Sequence, residues 1–369
     1  MFLKMLKLIK KNIVFCIAAL VAIISCFLVP PDSTYLDYFD WKTLSCLFLT
    51  LAVICALRNI KFFTIFARKL VIMTGNLRSL FLLLITITFI GSMIIANDMA
   101  LITFLPLGYF ALSVTKQEKY MAYLFVLQNI SANLGGMLTP FGNPQNLYLY
   151  SYFNIPTEEF TLIMLPPFLI SIALLVILCI PIKPIKFSLQ KDFPEKLNVK
   201  KAILYGLLFF FSILIVFRIV PFMAGLLIIP LILFFVDRDS LKMVDYGLLG
   251  TFFFFFIFAG NLSRLNLINS IISSLLEKDT LIVSILSCQV ISNVPSAILL
   301  SKFTNDYSSL LLGVNIGGTG TLIASLASLI TFNEFRTLHP TETKKYILTF
   351  GILNILFLVV LTVVAKFIL

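Results

Sequence analysis

Long apolar segments recur along the whole chain and place the strongest limit on its fold. A segment of about 17 to 22 apolar residues can cross the hydrocarbon core of a bilayer, where backbone polar groups must find partners within the protein. Twelve such segments follow one another, and those near 120–153, 281–312 and 313–335 are interrupted by polar residues. The other nine lie near 12–30, 42–58, 79–96, 98–114, 161–182, 202–218, 220–236, 246–263 and 346–366. The pattern predicts an all-α polytopic membrane protein.

Composition agrees with this class and excludes others. The chain is 60% hydrophobic and 12% charged, with a mean hydropathy of +1.05, whereas a soluble domain carries about 25% charged residues. Its net charge of +11 does not indicate a nucleic-acid partner, because no basic stripe is interleaved with aromatic residues. The lipid bilayer is the partner that the composition predicts.

Metal-ligating and catalytic residues are scarce. The single histidine, His339, precedes Pro340 in a polar stretch, and no paired carboxylates fall at membrane depth. The cysteines all lie in apolar runs without a CxxC pair, and we interpret them as packing residues: Cys16, Cys26, Cys46, Cys55, Cys179 and Cys288. We therefore expect no enzyme, no cofactor, and no metal beyond a coupling Na⁺.

Basic residues are unevenly distributed between the loops. With the N-terminus in the cytoplasm, the cytoplasmic segments hold 22 of the 28 Lys and Arg residues, as the positive-inside rule requires. These segments are 1–11, 58–78, 116–119, 183–201, 237–242 and 336–345. The first span resembles a signal sequence, but we expect it to stay uncleaved in a multi-pass protein of the cell membrane.

A polar linker at 183–201 separates an N-terminal half, 1–182, from a C-terminal half, 202–369, and both halves show the same landmarks in the same order. The first half has FDWKTL, IANDMALITF and NLGGMLT, and the second has VDYGLL, ISNVPSAILL and NIGGTGT. Asp40 precedes a span from outside and Asp245 precedes one from inside. The halves are thus predicted to be inverted repeats, an arrangement that secondary transporters use to form a central site.

Each half contains two interrupted elements. The breaks IANDMA and ISNVPS predict hairpins near 79–114 and 281–312, either re-entrant or as two full crossings, with Asn97 or Asp98 and Ser292 or Asn293 as helix caps. NLGGMLTPFGNPQN and NIGGTGT predict broken helices at 120–153 and 313–335, followed by a last helix at 346–366. Their paired glycines can adopt positive φ and allow unwinding.

Such breaks suit ion binding. Free helix N-termini with Asn and Ser donors favour an anion, whereas unwound carbonyls favour Na⁺. Asp98 is the deepest acid in this arrangement, and it is either a cation- or proton-handling group or simply a helix cap. Close helix packing is the alternative role of the glycines.

The motifs ANDMALITFLPL, SANLGGMLTPFGNPQNL, SNVPSAILL and GVNIGGTGTLIASLASL together resemble the ion transporter superfamily. Its members include divalent-anion/sodium symporters, citrate transporters, arsenite-efflux permeases and one class of Na⁺/H⁺ antiporters. The resemblance implies an elevator-type secondary transporter, with a fixed scaffold and a moving transport domain, that forms a homodimer and carries a small anion coupled to Na⁺ or H⁺.

Site residues follow from the same resemblance. It implies one cation site that involves Asn97, Asn133 and Gly136, and a second that involves Asn293, Asn315 and Gly318. Substrate would bind between the hairpin tips, near residues of both halves: Asn97, Asp98, Asn143, Pro144, Asn146, Ser292 and Asn293.

Two departures keep alternatives open. Both tips lack the threonine of the dicarboxylate branch, and Asn97-Asp98 is more like the arsenite and Na⁺/H⁺ antiporter branches and also like some citrate-type permeases. The sequence therefore also predicts a Na⁺/H⁺ antiporter or an arsenite permease. The second half shows ASLAS at 324–328 where the first has GNPQN, so we expect the two sides of the site to be chemically unequal.

Overall fold

A computed structural model describes residues 13–187 and 197–369, and the chain is helical throughout these ranges. The N-terminal segment 1–11 and residues 188–196 of the predicted linker 183–201 lie outside the described residues. The described α-helices are α1 Ile13–Leu28, α2 Trp41–Asn59, α3 Phe62–Ile72, α4 Leu77–Ile95, α5 Asn97–Val114, α6 Met121–Gly135, α7 Pro144–Tyr152, α8 Thr157–Cys179, α9 Val199–Val216, α10 Phe222–Val236, α11 Arg238–Lys242, α12 Tyr246–Ser263, α13 Asn266–Ile291, α14 Asn293–Leu300, α15 Tyr307–Ile316, α16 Leu326–Leu338 and α17 Thr343–Ile368.

Seven helices in the described ranges are long and apolar enough to cross a membrane: α2, α4, α5, α8, α9, α12 and α17 with the short turn before it. Shorter apolar helices occur at α1, α10 and α15. The prediction of a polytopic all-α membrane protein is confirmed at this level.

Several helices begin where the sequence supplies a capping side chain. Asp40 accepts a hydrogen bond from the Thr43 amide (3.0 Å) at the start of α2, and Asp245 accepts one from the Leu248 amide (2.9 Å) at the start of α12. These bonds satisfy backbone donors that a first turn would otherwise leave unpaired. The two acidic landmarks therefore have the same local role in both halves.

The interrupted helices lie at the centre of the molecule. Every residue of α6 except Tyr123 is buried, and α6 packs against α4, α5, α16 and α17. Helix α7 packs against α2, α14 and α15, and seven of its nine residues are buried. The first polar break is thus flanked by buried helices, as non-helical backbone at membrane depth requires, whereas Thr321 and Ile323 of the second break are exposed.

Three details differ from the sequence prediction. Helix α3 occupies part of 58–78, which was expected only as a cytoplasmic loop, and it buries Ala67 and Val71 one turn apart. The second broken helix begins at Tyr307 instead of 313, because Asp306 caps it by accepting from the Ser309 amide (3.1 Å). Helix α13 is interrupted at Asp279, whose φ of −167° breaks the helical geometry.

Candidate functional site

The hairpins turn at one residue each. Ala96 (φ 66°, ψ 153°) separates α4 from α5, and Ser292 (φ 74°, ψ 160°) separates α13 from α14. Positive φ is uncommon for residues other than glycine and persists only where the surroundings enforce it. The two helices of each pair pack against each other, so the predicted breaks IANDMA and ISNVPS are hairpin turns.

Capping at these turns differs from the prediction. The caps are Ala96 and Ser292, and neither side chain caps the following helix. Instead, the Asn97 carbonyl oxygen Oδ1 accepts from the Asp98 amide (3.0 Å), and Asn293 Oδ1 accepts from the Val294 amide (2.9 Å). The interpretation of Asp98 as a cap is wrong, because its neighbour takes the local amide. Asp98 Oδ1 is buried without a hydrogen-bond partner.

The first broken helix unwinds between α6 and α7. A 3₁₀ turn covers Gly136–Leu138, and α7 begins at Pro144 with Asn143 as its cap, which accepts from the Asn146 amide (2.9 Å). The Asn146 side-chain amide donates to the carbonyls of Gly136 (3.3 Å), Met137 (3.0 Å) and Thr139 (3.3 Å). The GNPQN motif thus caps the new helix and satisfies the unwound carbonyls.

The second broken helix unwinds over residues 317–325. Ser325 caps α16 by accepting from the Ser328 amide (3.1 Å). The unwound carbonyls of Gly317 (2.8 Å) and Thr319 (3.2 Å) accept from the side chain of Gln289, which comes from the adjacent hairpin. Each unwound stretch is therefore held by one amide side chain, but that side chain comes from a different element in each half.

Matching threonines attach both unwound stretches to the hairpins. Thr139 Oγ1 donates to the Met93 carbonyl (2.8 Å), and Thr321 Oγ1 donates to the Gln289 carbonyl (3.4 Å). Each threonine is the last residue of its N-x-G-G-x-x-T motif, and each acceptor lies three residues before its hairpin turn.

Asn315 joins the two broken helices. Its Oδ1 accepts from Asn143 Nδ2 (3.0 Å), and its Nδ2 donates to Asn146 Oδ1 (2.6 Å) and to the Leu311 carbonyl (2.8 Å). All three asparagines are at most 2% exposed. We call this three-residue network the Asn315 crossing. It brings together three of the predicted site residues from both halves.

Asn133 holds the equivalent place in the first motif but has no such network. It is 3% exposed, and both its Oδ1 and its Nδ2 lack a hydrogen-bond partner. One turn earlier, Asn129 contacts Ser328 (3.4 Å) and Thr331 (3.5 Å) of α16. We call the last two turns of α6 and the first two turns of α16 the Asn133 crossing. A buried unpaired amide is costly, and the Asn133 side chain is available to bind a ligand that removes this cost.

The glycines of both motifs allow close packing, and the expectation that Gly135, Gly136 and Gly317 adopt positive φ is wrong. Their φ values are −64°, −65° and −62°. A Cβ at Gly135 would lie 2.1 Å from the Phe89 carbonyl oxygen, so the hairpin approaches too closely for any side chain. Gly320 is the glycine with positive φ in the described residues.

The second hairpin tip is fixed to its unwound stretch. The Asn293 amide (2.9 Å) and the Ser292 hydroxyl (3.3 Å) both donate to the Ala324 carbonyl, next to the start of α16. The side chains of Asn97 and Asp98 make no hydrogen bond to another element in the described ranges. The structure thus joins the predicted residues of the second tip to a broken helix, but not those of the first.

Sequence reasoning missed several of these groups. Ser325 and Ser328 follow Asn315 by 10 and 13 residues, and Asn143 and Asn146 follow Asn133 by the same intervals. The conclusion that the second half has no counterpart to GNPQN is therefore wrong for the capping position, although the serines are shorter. This equal spacing was the available signal. The roles of Asn129 and Gln289 gave no signal in the sequence, because their hydrogen-bond partners are distant along the chain.

The predicted site residues include no Lys or Arg, and their polar side chains are amides, one hydroxyl and one carboxylate. Helices α5, α7, α14 and α16 all begin at the breaks, and each helix N-terminus carries about half a positive charge. Such a site can bind an anion through backbone N–H groups and amide donors. The amide and carbonyl oxygens are ligands that suit a hard cation.

Comparison with known proteins places the chain in a family. A profile of the family described as "Citrate transporter" matches residues 1–307. The chain belongs to the citrate transporter family. The profile covers both hairpins and the first broken helix, while Asn315, Ser325 and Ser328 follow its last matched residue.

Two relatives extend the match. An uncharacterized transporter of Methanocaldococcus jannaschii is 35% identical over 333 residues, which cover 89% of this chain and 90% of the relative. The inner membrane protein YbiR of Escherichia coli is 28% identical over 340 residues, again 89% of this chain and 90% of the relative. Membership of the citrate transporter family agrees with the resemblance drawn from the motifs, and it indicates a transporter rather than an enzyme.

Proposed function

We propose that the protein is a secondary active transporter that moves a small anion, such as citrate, a dicarboxylate or an inorganic oxyanion, coupled to Na⁺ or H⁺. The observation that carries this proposal is the pair of broken helices, which are joined through the buried side chains of Asn143, Asn146 and Asn315. Four helices begin at these breaks and the hairpin turns, so partial positive charge is available without a buried Lys or Arg.

The coupling cation is assigned to the Asn133 crossing. Asn133 is the predicted cation-site residue whose side chain is buried and unpaired in the described chain. The Asn315 side chain already makes three hydrogen bonds within the protein. Asn97, Gly136, Asn293 and Gly318 complete the sites that the superfamily resemblance implies. Binding of a cation would compensate the cost of the unpaired amide, and this links cation occupancy to the stability of the site.

The architecture proposed for this activity is two inverted repeats that work as an elevator. Matching features support the repeat: positive φ at Ala96 and Ser292, and the threonine contacts of Thr139 and Thr321. In the proposal a transport domain of hairpins and broken helices moves against a scaffold within a homodimer, with the N-terminus in the cytoplasm.

Uptake of radiolabelled citrate into liposomes tests the function. We expect uptake by the reconstituted protein under an inward Na⁺ or proton gradient, and none when the gradient is collapsed by an ionophore. Asn133→Ala should abolish gradient-driven uptake while the purified variant still elutes as a single folded species. Equal citrate uptake with and without a gradient would reject coupling.

Asp98 favours a second candidate, a Na⁺/H⁺ antiporter or arsenite permease. Its carboxylate is not used as a cap, and Oδ1 is buried without a partner, as suits a group that exchanges a proton for a cation. In this case Na⁺ addition should release protons from liposomes loaded with a pH-sensitive dye. Asp98→Asn should eliminate the signal, and Glu277→Gln, an exposed acid elsewhere, should not. Normal antiport in Asp98→Asn excludes this candidate.

A further inference from the structure

Three basic side chains gather at one end of the bundle without acidic partners. Lys42 lies in the first turn of α2, Arg218 follows α9 and Lys302 follows α14, and all three are half-buried. None of them forms an ion pair within the described ranges. Other basic residues on this face do, since Arg264 pairs with Asp32 (2.7 Å) and Lys366 pairs with Asp279.

One carboxylate lies close to this group, and it also caps helix α2. Asp40 interacts electrostatically with both Lys42 and Lys302. Its two oxygens accept from the Thr43 amide (3.0 Å) and the Thr43 hydroxyl (2.5 Å) in its role as a helix cap. Lys42 and Arg218 in turn repel each other. One carboxylate cannot balance three cations, so the group keeps a net positive charge.

Two of the cations rest on the rings at the end of α7. The Arg218 guanidinium lies 4.2 Å from the centre of the Tyr150 ring and donates to the Tyr150 carbonyl, and the Lys302 ammonium lies 4.6 Å from the centre of the Tyr152 ring. These contacts hold the charges in place but do not neutralise them. A cation at a helix C-terminus is favourable, which accounts for Arg218. It does not account for Lys42, which makes no hydrogen bond in the described chain.

Helix α7 connects this cluster to the candidate site. Helix α7 begins at Asn143 and Pro144 in the site and ends at the cluster, and its nine residues span about 14 Å. Tyr152 at its end is 38% exposed. An anion held at the cluster would therefore lie one short helix away from the amides and helix N-termini of the site.

We propose that Lys42, Arg218 and Lys302 form a vestibule that binds a polycarboxylate anion before it reaches, or after it leaves, the central site. The anion is identified as the transported one on the basis of the proposed function above. The vestibule raises the local anion concentration by electrostatic attraction, which salt screens. The central site itself, which lacks Lys and Arg, provides selectivity.

Trp41 allows a test that does not depend on transport. It is the single tryptophan of the chain, it precedes Lys42, and it is 53% exposed. Quenching of its fluorescence by iodide should be about two- to fourfold weaker in the Lys42→Gln/Lys302→Gln variant, while quenching by neutral acrylamide stays unchanged. Citrate should protect the wild type against iodide but not the variant. Lys278→Gln, an exposed lysine outside the cluster, should behave like the wild type.

Citrate uptake supplies the second measurement. At low ionic strength Lys302→Gln should raise the half-saturating citrate concentration about fivefold with an unchanged maximal rate, and the difference should disappear at high salt. The vestibule is overturned if iodide quenches Trp41 equally in the wild type and in the double variant. It is also overturned if Lys302→Gln leaves the half-saturating citrate concentration unchanged. If the wild type moves no citrate but the quenching results hold, the proposed substrate fails and the anion-binding vestibule stands.

Discussion

The Asn315 crossing and the Asn133 crossing are built from the same motif but differ in their hydrogen bonding. At the Asn315 crossing three buried asparagines satisfy one another. At the Asn133 crossing the cap positions are Ser325 and Ser328, whose hydroxyls bond to each other (2.9 Å), and Asn133 remains unpaired. The amides at the cap positions bond to Asn315 at one crossing, whereas the Ser328 hydroxyl at the other bonds to Asn129 and no side chain of the described residues bonds to Asn133.

The difference separates two roles for the same residue type. A side chain whose hydrogen bonds are all made within the protein contributes to stability, and its removal leaves its partners unpaired. A buried side chain without partners costs free energy until a ligand arrives, so its removal affects binding more than folding. Four variants test this division, from the largest expected effect to the smallest.

Asn315→Ala should have the largest effect on stability. It leaves Asn143 Nδ2 and Asn146 Oδ1 without their partner, and an unsatisfied buried polar group costs about 1–3 kcal/mol. We expect a clearly lowered melting temperature in detergent, measured by intrinsic fluorescence or light scattering. A melting temperature equal to that of the wild type would show that the Asn315 crossing does not hold the two broken helices together.

Asn133→Ala should change ligand binding and not stability. No hydrogen bond is lost, so the melting temperature in choline chloride should stay close to that of the wild type. The stabilisation of the wild type by Na⁺ should disappear. Loss of a partner that only orients a metal ligand already costs about 10- to 100-fold in metal affinity, and loss of a direct oxygen ligand should cost at least as much. An unchanged Na⁺ response in this variant contradicts the assignment of the cation.

Ser325→Asn combined with Ser328→Asn should convert the Asn133 crossing toward the closed one. The longer amides supply partners for Asn133, and we expect stability to rise by about 1 kcal/mol while Na⁺-driven uptake falls. Thermal melting and uptake are measured on the same preparation. Ser309→Asn at the start of α15 is the control for a new amide at a helix start away from the crossing. If Na⁺-driven uptake persists at the wild-type rate, Asn133 does not bind the coupling cation.

Gln289→Met should have the smallest effect. Met93 occupies the corresponding position before the first hairpin turn, so the substitution gives both hairpins the same residue. The carbonyls of Gly317 and Thr319 lose their donor, but Gln289 is only half-buried and water can replace part of the interaction. We expect a loss of about 1 kcal/mol and faster amide hydrogen exchange over residues 317–325. Unaltered exchange there would mean that Gln289 does not hold the second unwound stretch.

Much of the fold was predictable from local patterns. Apolar length located the spans, and the breaks at Asn97, Asn133, Asn293 and Asn315 were visible as polar residues in apolar runs. The capping by Asn143 was also accessible, because a cap depends on residues three positions apart. Helix α3 and the start of α15 were harder to predict, since a short amphipathic helix and a loop boundary give weak signals within mixed sequence.

The candidate site was less predictable, because its pairings are long-range. Asn143 and Asn315 are 172 residues apart, and nothing near either of them specifies the other. The role of Asp98 also depended on the fold: its neighbour Asn97 accepts the local amide and leaves the carboxylate unpaired. The clustering of Lys42, Arg218 and Lys302 could not be seen while these residues were counted only as exceptions to the charge bias.

The sequence by itself determined that the chain crosses a membrane, where its helices break, and that both halves carry the same N-x-G-G-x-x-T motif. Each of these properties follows from apolar length or from residues within one or two turns of each other. Only the tertiary structure decided that Asn315 is fully bonded and Asn133 is not, since Asn315 bonds to Asn143 and Asn146 from the other half, whereas Asn133 has no hydrogen-bond partner among the described residues. The same motif therefore provides an asparagine with all its hydrogen bonds made at one crossing, and a buried asparagine without partners at the other.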